Sequence, residues 1–269
     1  MTSVTSDVRI MRDGRKEATI DASSRDPHGR PVDQQTLNEE IRRVIAAGAG
    51  RISVTGVMGQ RYIASACTDR ELYIRIDGTP GNGLGAFLDG PTIEVFGNAQ
   101  DMTGNTMACG RIIVHGNAWD VTGLAARGGR ILIRDSSGYR VGIHMKEYGG
   151  SAPSIIIGGQ AGDYLGEYMA GGSILVLGNG CRRSPVGSSI GAGMHGGSIY
   201  VRGPVEKHQL GIGAALQPLD DTDRQRLEDM ISDFERCFSL RVTRNWPEYL
   251  KIAPLSSRPF CGHFDPIPI

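Results

Sequence analysis

Two consecutive nineteen-residue stretches follow one pattern, and this internal repeat constrains the fold more than any other feature of the chain. They read TIEVFGNAQDMTGNTMACG, residues 92–110, and RIIVHGNAWDVTGLAARGG, residues 111–129. Apolar, glycine and polar residues occupy matching positions in both. Self-similarity at a fixed period of about twenty residues is typical of solenoids and other repeat architectures.

Eight units of this kind align on an apolar five-residue segment. The flanking places of the segment are polar as readily as apolar, and alternation with period two predicts a strand with one buried face. Branched side chains also suit a pleated, packed surface. The second and fourth places are aliphatic in all eight units: Ile52/Val54, Leu72/Ile74, Ile93/Val95, Ile112/Val114, Ile131/Ile133, Ile155/Ile157, Ile174/Val176 and Ile199/Val201.

One strand per coil of about nineteen residues predicts a parallel β-helix. A meander of hairpins would instead place antiparallel neighbours about ten residues apart. The known handedness of parallel crossover connections favours a right-handed coil. The predicted fold class is therefore all-β, a right-handed parallel β-helix of about eight coils over residues 51–219, with short helical extensions at both ends.

Glycine is unusually abundant, with 39 residues in a chain of 269. A chain that turns a corner after each short strand needs positive φ there, which glycine adopts at low cost. Asn98, Asn117 and Asn179 follow three of these glycines, and asparagine also tolerates the left-handed region. We therefore expect positive φ at the glycines that come directly or almost directly after a strand: Gly56, Gly97, Gly116, Gly159, Gly178 and Gly203.

The N-terminal segment, residues 1–50, is predicted to cover the first coil with one helix. Its sequence TLNEEIRRVIAAGAG contains a capping box formed by Thr36 and Glu39. Gly48 is expected just beyond the C-terminal end of that helix, where glycine is the preferred residue.

The C-terminal segment, residues 220–269, is predicted to be a helix followed by an extended arm. Thr222 and Gln225 form a second potential capping box. The apolar stripe favours a helix that packs on the stack and hides exposed strand edges, and a helix that binds a partner is the alternative. The stripe consists of Leu227, Met230, Ile231, Phe234 and Phe238.

Composition excludes several classes of function. Lysine plus arginine equals aspartate plus glutamate, 29 each, and no polybasic run is present, so binding to nucleic acid or to a membrane surface is not expected. The apolar runs are too short to span a bilayer. Without a hydrophobic signal segment, the expected location is the cytoplasm. Five scattered cysteines lack zinc-site spacing and fit a reducing compartment.

Two short motifs suggest an enzyme. GSSIG, Gly187–Gly191, matches the nucleophile elbow with Ser189 as nucleophile, and GAGMHG, Gly191–Gly196, matches a dinucleotide-binding loop. Both motifs require a helix after the glycine-rich turn. A strand is predicted to follow here instead, so neither motif is assigned a function.

Histidines and acidic residues of the loops give no site assignment either. His144 and His195 fall in two apparent insertions, residues 144–153 and 181–197, and could line one surface. Asp101, Asp120 and Asp163 fall at equivalent places in their coils, and a carboxylate at a turn accepts backbone N–H bonds. A calcium or acid–base ladder of the kind found in polysaccharide-cleaving β-helices is the alternative. We predict no catalytic, cofactor-binding or metal-binding residue on this chain.

At this point the repeats resemble a known family. The repeats are similar to the GXGXG domain of the glutamate synthase large subunit. The similarity is carried by the units GNAQDMTGNTMACG, GNAWDVTGLAARGG and GQAGDYLGEYMAGG and by the short motifs GQRYIA, VGIHMKEYGG and GMHGGSIYVRG. The similarity covers roughly residues 51–213. This chain resembles the split arrangement of the family, in which the GXGXG domain is a separate subunit, as in some glutamate synthases and in N-methylglutamate synthase.

The resemblance implies a right-handed β-helix without catalytic residues. It also implies two partner subunits, a class II amidotransferase-like chain and a synthase-like chain that binds FMN and often an iron–sulfur cluster. This chain lacks an N-terminal cysteine and cluster-type cysteine spacing. The expected role is a scaffold in a hetero-oligomer that makes glutamate or N-methylglutamate.

Two alternatives stay open. Related repeats occur in a subunit of formylmethanofuran dehydrogenase and its formyltransferase/hydrolase relatives, although those repeats are more uniform and motifs such as HMKEY and GQRY point away from them. An independent enzyme or ligand-binding protein would need a pocket of its own, and only the loops 144–153 and 181–197 could build it.

Overall fold

The fold is known from a computed structural model that describes residues 5–11, 16–25 and 28–257. Residues 258–269 of the predicted C-terminal arm, including Cys261 and His263, lie outside these residues. The described chain contains two α-helices, α1 (Gln34–Ala46) and α2 (Asp221–Phe238). The strands are β1 (Thr5–Ile10), β2 (Lys16–Asp21), β3 (Ala49–Met58), β4 (Tyr73–Thr79), β5 (Asp89–Phe96), β6 (Cys109–Val114), β7 (Arg130–Ile133), β8 (Ser154–Ile157), β9 (Ala170–Val176), β10 (Gly196–Arg202), β11 (Ala214–Gln217) and β12 (Tyr249–Pro254).

The predicted parallel β-helix is confirmed. The twelve strands of the described residues form one sheet in the order β1 to β10, then β12 and β11. Neighbouring strands from β2 to β10 pair in parallel. The eight predicted strands, β3 to β10, bound seven complete coils, and each coil advances the chain by one strand along the stack.

The interior consists of two aliphatic columns, as the alternation predicts. One column is Ile52, Ile74, Ile93, Ile112, Ile131, Ile155, Ile174 and Ile199, and the other is Val54, Ile76, Val95, Val114, Ile133, Ile157, Val176 and Val201. All sixteen side chains are at most 2% exposed. Burial of this many branched side chains is the main source of stability for the stack.

One unit was aligned in the wrong register. Strand β4 pairs Tyr73 with Arg51 and with Thr92, so its inward residues are Ile74 and Ile76 rather than Leu72 and Ile74. Leu72 is nevertheless buried just before the strand. Because inward residues recur every second position, both registers satisfy the alternation.

A second core lies between the outer face of the stack and α2. The middle residues of five successive strands, from β6 to β10, are apolar on that face: Ile113, Leu132, Ile156, Leu175 and Tyr200. The predicted stripe of α2, from Leu227 to Phe238, packs on them and is at most 9% exposed. The interpretation of α2 as a helix that packs on the stack is confirmed.

Both ends of the stack contain strands that were not predicted from the sequence. Residues 1–50, predicted as a cap with one helix, also contain the antiparallel pair β1 and β2, and β2 pairs in parallel with β3. At the other end, β12 pairs antiparallel with β10 and with β11. The arm predicted beyond the second helix is therefore in part a strand that covers the last coil.

Both helices begin earlier than the predicted capping boxes. The N-cap of α1 is Asp33, whose carboxylate accepts the backbone N–H of Thr36, so Thr36 is not a cap. The N-cap of α2 is Asp220, which forms a capping box with Asp223 in place of Thr222 and Gln225. Gly48, with φ of 87°, does follow the end of α1 as predicted.

Every complete coil turns through the same five-residue corner, which we call the left-handed corner. It comprises residues 62–66, 83–87, 102–106, 121–125, 140–144, 164–168 and 189–193. The first, third and fifth residues of each have positive φ. The third is glycine in all but the first corner, where it is Ala64. Most first and fifth residues carry side chains, including the β-branched Val121 with φ of 52°, a rare conformation for such a residue.

The glycines after the strands have two different roles. Gly56, Gly178 and Gly203 have positive φ as predicted. Gly97, Gly116 and Gly159 do not. At Gly97 and Gly116 a Cβ would collide with the backbone of the preceding coil, and at Gly159 it would lie 2.4 Å from Ser136 Oγ. Asn98 and Asn117 also lack positive φ. Asn98 Oδ1 accepts the N–H of Asn117 at 2.8 Å, so these asparagines join successive coils.

Candidate functional surfaces of the solenoid

The left-handed corners stack on one another along the solenoid and form what we call the corner column. Three of the seven corners carry exposed aromatic side chains. Tyr62 is 47% exposed, Phe87 56%, Tyr164 36% and Tyr168 47%, and all four have positive φ. Successive corners are stacked by backbone hydrogen bonds, such as Arg140 N to the carbonyl of Asp163 at 2.9 Å. Large apolar groups held at solvent-exposed positions of restricted conformation are typical of interaction surfaces.

The three tyrosines among these residues pack on neighbouring coils. The Tyr62 ring lies over Gly83, and the Tyr168 ring lies over Gly193 and stacks on His144 with centroids 5.2 Å apart. The guanidinium of Arg140 lies 4.7 Å from the centroid of Tyr164. These contacts restrict the rings, so a partner would meet a surface that is already ordered.

The carboxylates of the predicted acidic ladder bind backbone. Asp101 Oδ1 accepts the N–H of Asp120 at 3.1 Å, Asp120 Oδ1 accepts the N–H of Tyr139 at 2.8 Å, and Asp163 Oδ1 accepts that of Ser188 at 2.7 Å. Each bond joins one coil to the next. Within the described residues, no group of three or more His, Cys, Asp or Glu is arranged to hold a metal ion.

The two enzyme-like motifs lie in the last coil. Ser189 is the first residue of a left-handed corner, with φ of 59°, and Gly191 and Gly193 are its third and fifth residues. Strand β10 follows them rather than a helix. The segment therefore presents no helix N-terminus to a phosphate and no strand–turn–helix elbow to a nucleophile.

The two apparent insertions are smaller than the sequence suggests. His144 closes a left-handed corner, and the extra residues of the first insertion form a turn bridged between Tyr148 and Ser151. In the second, Val186 pairs with Ala161 and residues 189–193 form a regular corner. Only residues near 179–184 are additional there.

An open cavity of about 650 Å³ lies beside the second insertion. Cys181, Arg202, Pro204, Pro247 and Glu248 contribute to its lining. Arg202 Nη2 donates to Asn179 Oδ1 at 2.8 Å. The two predicted histidines are not part of this lining: His144 stacks on Tyr168, and His195 Nδ1 lies 3.5 Å from the Gly193 carbonyl.

A polar network on the outer face of β4 to β6 was not predicted. Glu94 accepts from the hydroxyl of Tyr73 and lies 2.7 Å from His115 Nε2. Burial, together with this bond, raises the pKa of Tyr73 to about 12. His115 also stacks on Phe96 and meets the edge of Phe238 at the end of α2. The network therefore bridges the uncovered strands and the helix.

A buried carboxylate anchors the middle of α2. Asp233, 3% exposed, accepts from Arg111 at 2.9 and 3.0 Å and from Arg130 at 2.7 Å. Burial alone would raise the pKa of Asp233, but the bonds from the two guanidinium groups hold it below its ordinary value. The arginines occupy equivalent places on β6 and β7.

A second buried carboxylate anchors the start of α2. Asp223 accepts from the hydroxyl of Tyr200 and from Lys251 Nζ, both at 2.7 Å. Burial and the bond to Asp223 raise the pKa of Tyr200 to about 12. Although burial alone would raise it, the pKa of Asp223 is lowered by these two donors. Helix α2, β10 and β12 thus meet at one carboxylate.

The described helices do not include one that is long and apolar enough to cross a membrane. Four cysteines, Cys67, Cys109, Cys181 and Cys237, are free thiols. Burial raises the pKa of Cys67 and of Cys237, which disfavours the reactive thiolate.

Comparison with known proteins identifies the repeat. A family model described as the GXGXG motif matches residues 28–252. An uncharacterized protein of Methanocaldococcus jannaschii is 44% identical over 263 residues, which cover 94% of this chain and 98% of that protein. The residues matched by the family model include both helices, all seven corners and strands β3 to β11, but not β1 and β2.

Two glutamate synthases are more distant relatives. Ferredoxin-dependent glutamate synthase 2 of Synechocystis is 31% identical over 176 residues, 62% of this chain and 11% of that protein. The large chain of the NADPH glutamate synthase of Bacillus subtilis is 28% identical over 170 residues, 55% of this chain and 10% of that protein. The similarity thus covers about a tenth of each synthase, in its C-terminal region. This chain belongs to the GXGXG-motif family and is related to the C-terminal region of glutamate synthase large chains.

Proposed function

We propose that this chain is a non-catalytic scaffold subunit of a glutamate-synthase-type complex. The complex would make glutamate or N-methylglutamate in the cytoplasm. The observation that carries the proposal is the division of labour within the repeat. Its carboxylates and asparagines bind backbone of the next coil, whereas its corners present ordered, exposed aromatic rings.

The relatives support the partners that we propose. The chain matches about a tenth of two glutamate synthases, and we propose that subunits resembling other parts of those enzymes bind it. The ammonia or methylamine chemistry would take place in a class II amidotransferase-like subunit and an FMN-binding synthase-like subunit. The FMN-binding subunit would carry the redox step. FMN and any iron–sulfur cluster are thus assigned to those partners.

The corner column is the proposed contact surface for these partners. Aromatic side chains dominate the energetics of protein interfaces when they are rigid and central. Tyr164 and Tyr168 are rigid, since a cation–π contact holds the first and a stacking contact holds the second, and they lie side by side in one corner. Fixed rings lose little conformational entropy when a partner binds.

The test is affinity purification of the tagged chain from its native extract, with mass spectrometry and an absorption spectrum. We expect an amidotransferase-like chain and a yellow, FMN-bearing chain to co-purify. The variant Tyr164→Ser/Tyr168→Ser should lose both, whereas Leu255→Ser, which removes a more exposed apolar group elsewhere (71% exposed), should keep them. A colourless chain recovered alone would refute the scaffold role.

A further inference from the structure

The first strand of the chain leaves one edge without a partner. β1 pairs with β2 on one side only, and no strand of residues 5–11, 16–25 or 28–257 pairs with its other side. Its apolar residues are exposed: Val8 by 37% and Ile10 by 74%. An open strand edge with exposed apolar groups is a template for pairing with another strand.

The charges of β1 are self-complementary. Asp7 and Arg9 flank Val8, and both lie on the outer face, opposite Thr19 and Glu17 of β2. If two β1 strands pair antiparallel with Val8 opposite Val8, Asp7 of each copy lies opposite Arg9 of the other. Opposite charges placed directly across an antiparallel pair are stabilising, and like charges are destabilising.

We propose that β1 is a homodimerisation edge, through which two copies of this chain pair antiparallel about a two-fold axis at Val8. Such an interface is isologous and closes after two copies. The alternative of stacking β1 on the opposite end of another molecule, at β11, would be open-ended. The β11 sequence AALQ offers no charge to match Asp7 or Arg9.

The geometry also explains why the present pairing of these charges is not an obstacle. Arg9 Nε and Asp7 Oδ2 lie 2.7 Å apart within one chain, but the two side chains are 80% and 58% exposed. Exposed pairs of this kind contribute little. Exchanging the partner for the equivalent group of a second copy therefore has a small cost, and the contact buries Val8 and Ile10 in addition. The proposal is independent of the scaffold role.

The test is sedimentation equilibrium of the purified full-length chain over a range of concentrations. We expect a concentration-dependent dimer. Both β1 variants carry Glu17→Gln in addition, which removes the carboxylate that faces residue 9 within the chain, and Glu17→Gln alone is the reference. Arg9→Asp should raise the dissociation constant by roughly tenfold or more, because both cross-strand pairs between the two copies become repulsive. The exchanged variant Asp7→Arg/Arg9→Asp should restore the dimer, and Arg182→Asp, the same charge change on the exposed second insertion, should leave it intact.

Three results would overturn the proposal. The first is a wild-type chain that stays monomeric at its highest soluble concentration. The second is a dimer that persists in Arg9→Asp. The third is a dimer lost in Arg9→Asp and not recovered on charge exchange, which would exclude the two-fold register at Val8. Circular dichroism of each variant checks that the stack is folded.

Discussion

The third residue is glycine in six of the seven left-handed corners for two separable reasons, and Gly142 allows both to be measured. Its φ is 69°, and a Cβ at this position would lie 2.6 Å from Cδ1 of Ile174, a residue of the inner column. An L-residue in the left-handed region costs about 1–2 kcal/mol. Forcing a methyl group into a packed core costs roughly 1–3 kcal/mol more.

Gly142→Ala should therefore destabilise the chain by about 2–5 kcal/mol. The matched control is Gly59→Ala, since Gly59 has φ of 82° but no atom within 4 Å of an added Cβ. The free energy of unfolding of Gly59→Ala should fall only by the cost of the left-handed conformation, about 1–2 kcal/mol. Urea unfolding followed by circular dichroism gives both values.

A double variant isolates the packing part. Ile174→Val removes the Cδ1 atom and should cost about 0.5–1.5 kcal/mol by itself. In Gly142→Ala/Ile174→Val the collision is relieved, so the double variant should be more stable than the sum of the two losses by about 1–3 kcal/mol. Additive losses, or a cost for Gly142→Ala no larger than that for Gly59→Ala, would show that the corner does not pack as described.

Three further predictions concern the core and the anchors of α2. Ile133→Asp places a charge in a fully buried inner column and should cost several kcal/mol, about 3 or more, so that the chain unfolds or fails to assemble; normal unfolding and normal size on gel filtration would contradict the inward face. Asp233→Asn should cost about 2–3 kcal/mol in urea unfolding, because it removes the carboxylate that faces Arg111 and leaves Arg130 only the exposed Asp229 as a counter-charge; an unchanged midpoint would exclude the anchor. Because the folded-state pKa values of Asp223 and Asp233 are lowered, the stability they contribute is present above the unfolded value of about 4 and is lost as pH falls through the folded values; melting temperature against pH should show this loss, and Asp233→Asn should diminish it.

The inner columns could be predicted from sequence because burial imposes a strict period of two on each strand. Repetition in eight units made that signal strong. The same period explains the error at β4, where Leu72 and Ile74 satisfy the alternation as well as Ile74 and Ile76 do. Only pairing with Arg51 and Thr92 distinguishes the two registers.

The sequence also contains a signal for the position of α2. The middle places of β3, β4 and β5 are Ser53, Arg75 and Glu94, and from β6 onward they are apolar, beginning with Ile113. This switch marks the strands that the helix covers. It identifies one face of the sheet as half covered and half exposed.

The corners could not be predicted in the same way. Residues such as Met102, Val121 and Tyr164 have no preference for positive φ, and their conformation is imposed by the stacking of coils rather than by local sequence. The strand β1 carried no signal either, since a short antiparallel edge strand lacks the repeat pattern. The exposed aromatic side chains of the corner column and the open edge of β1 are brought about only by the stacking of the coils.

The parallel stack has a consequence for measurement of distance within an assembly. Neighbouring strands are about 4.8 Å apart, so nine parallel strands from β2 to β10 form a rod of about 38 Å. Its length can change only by whole coils, in steps of about 4.8 Å. Removal of the coil of residues 111–129 would thus bring whatever is bound at the two ends closer by one such step, while every remaining coil keeps its neighbours. The number of coils therefore sets the distance between the two ends of the stack.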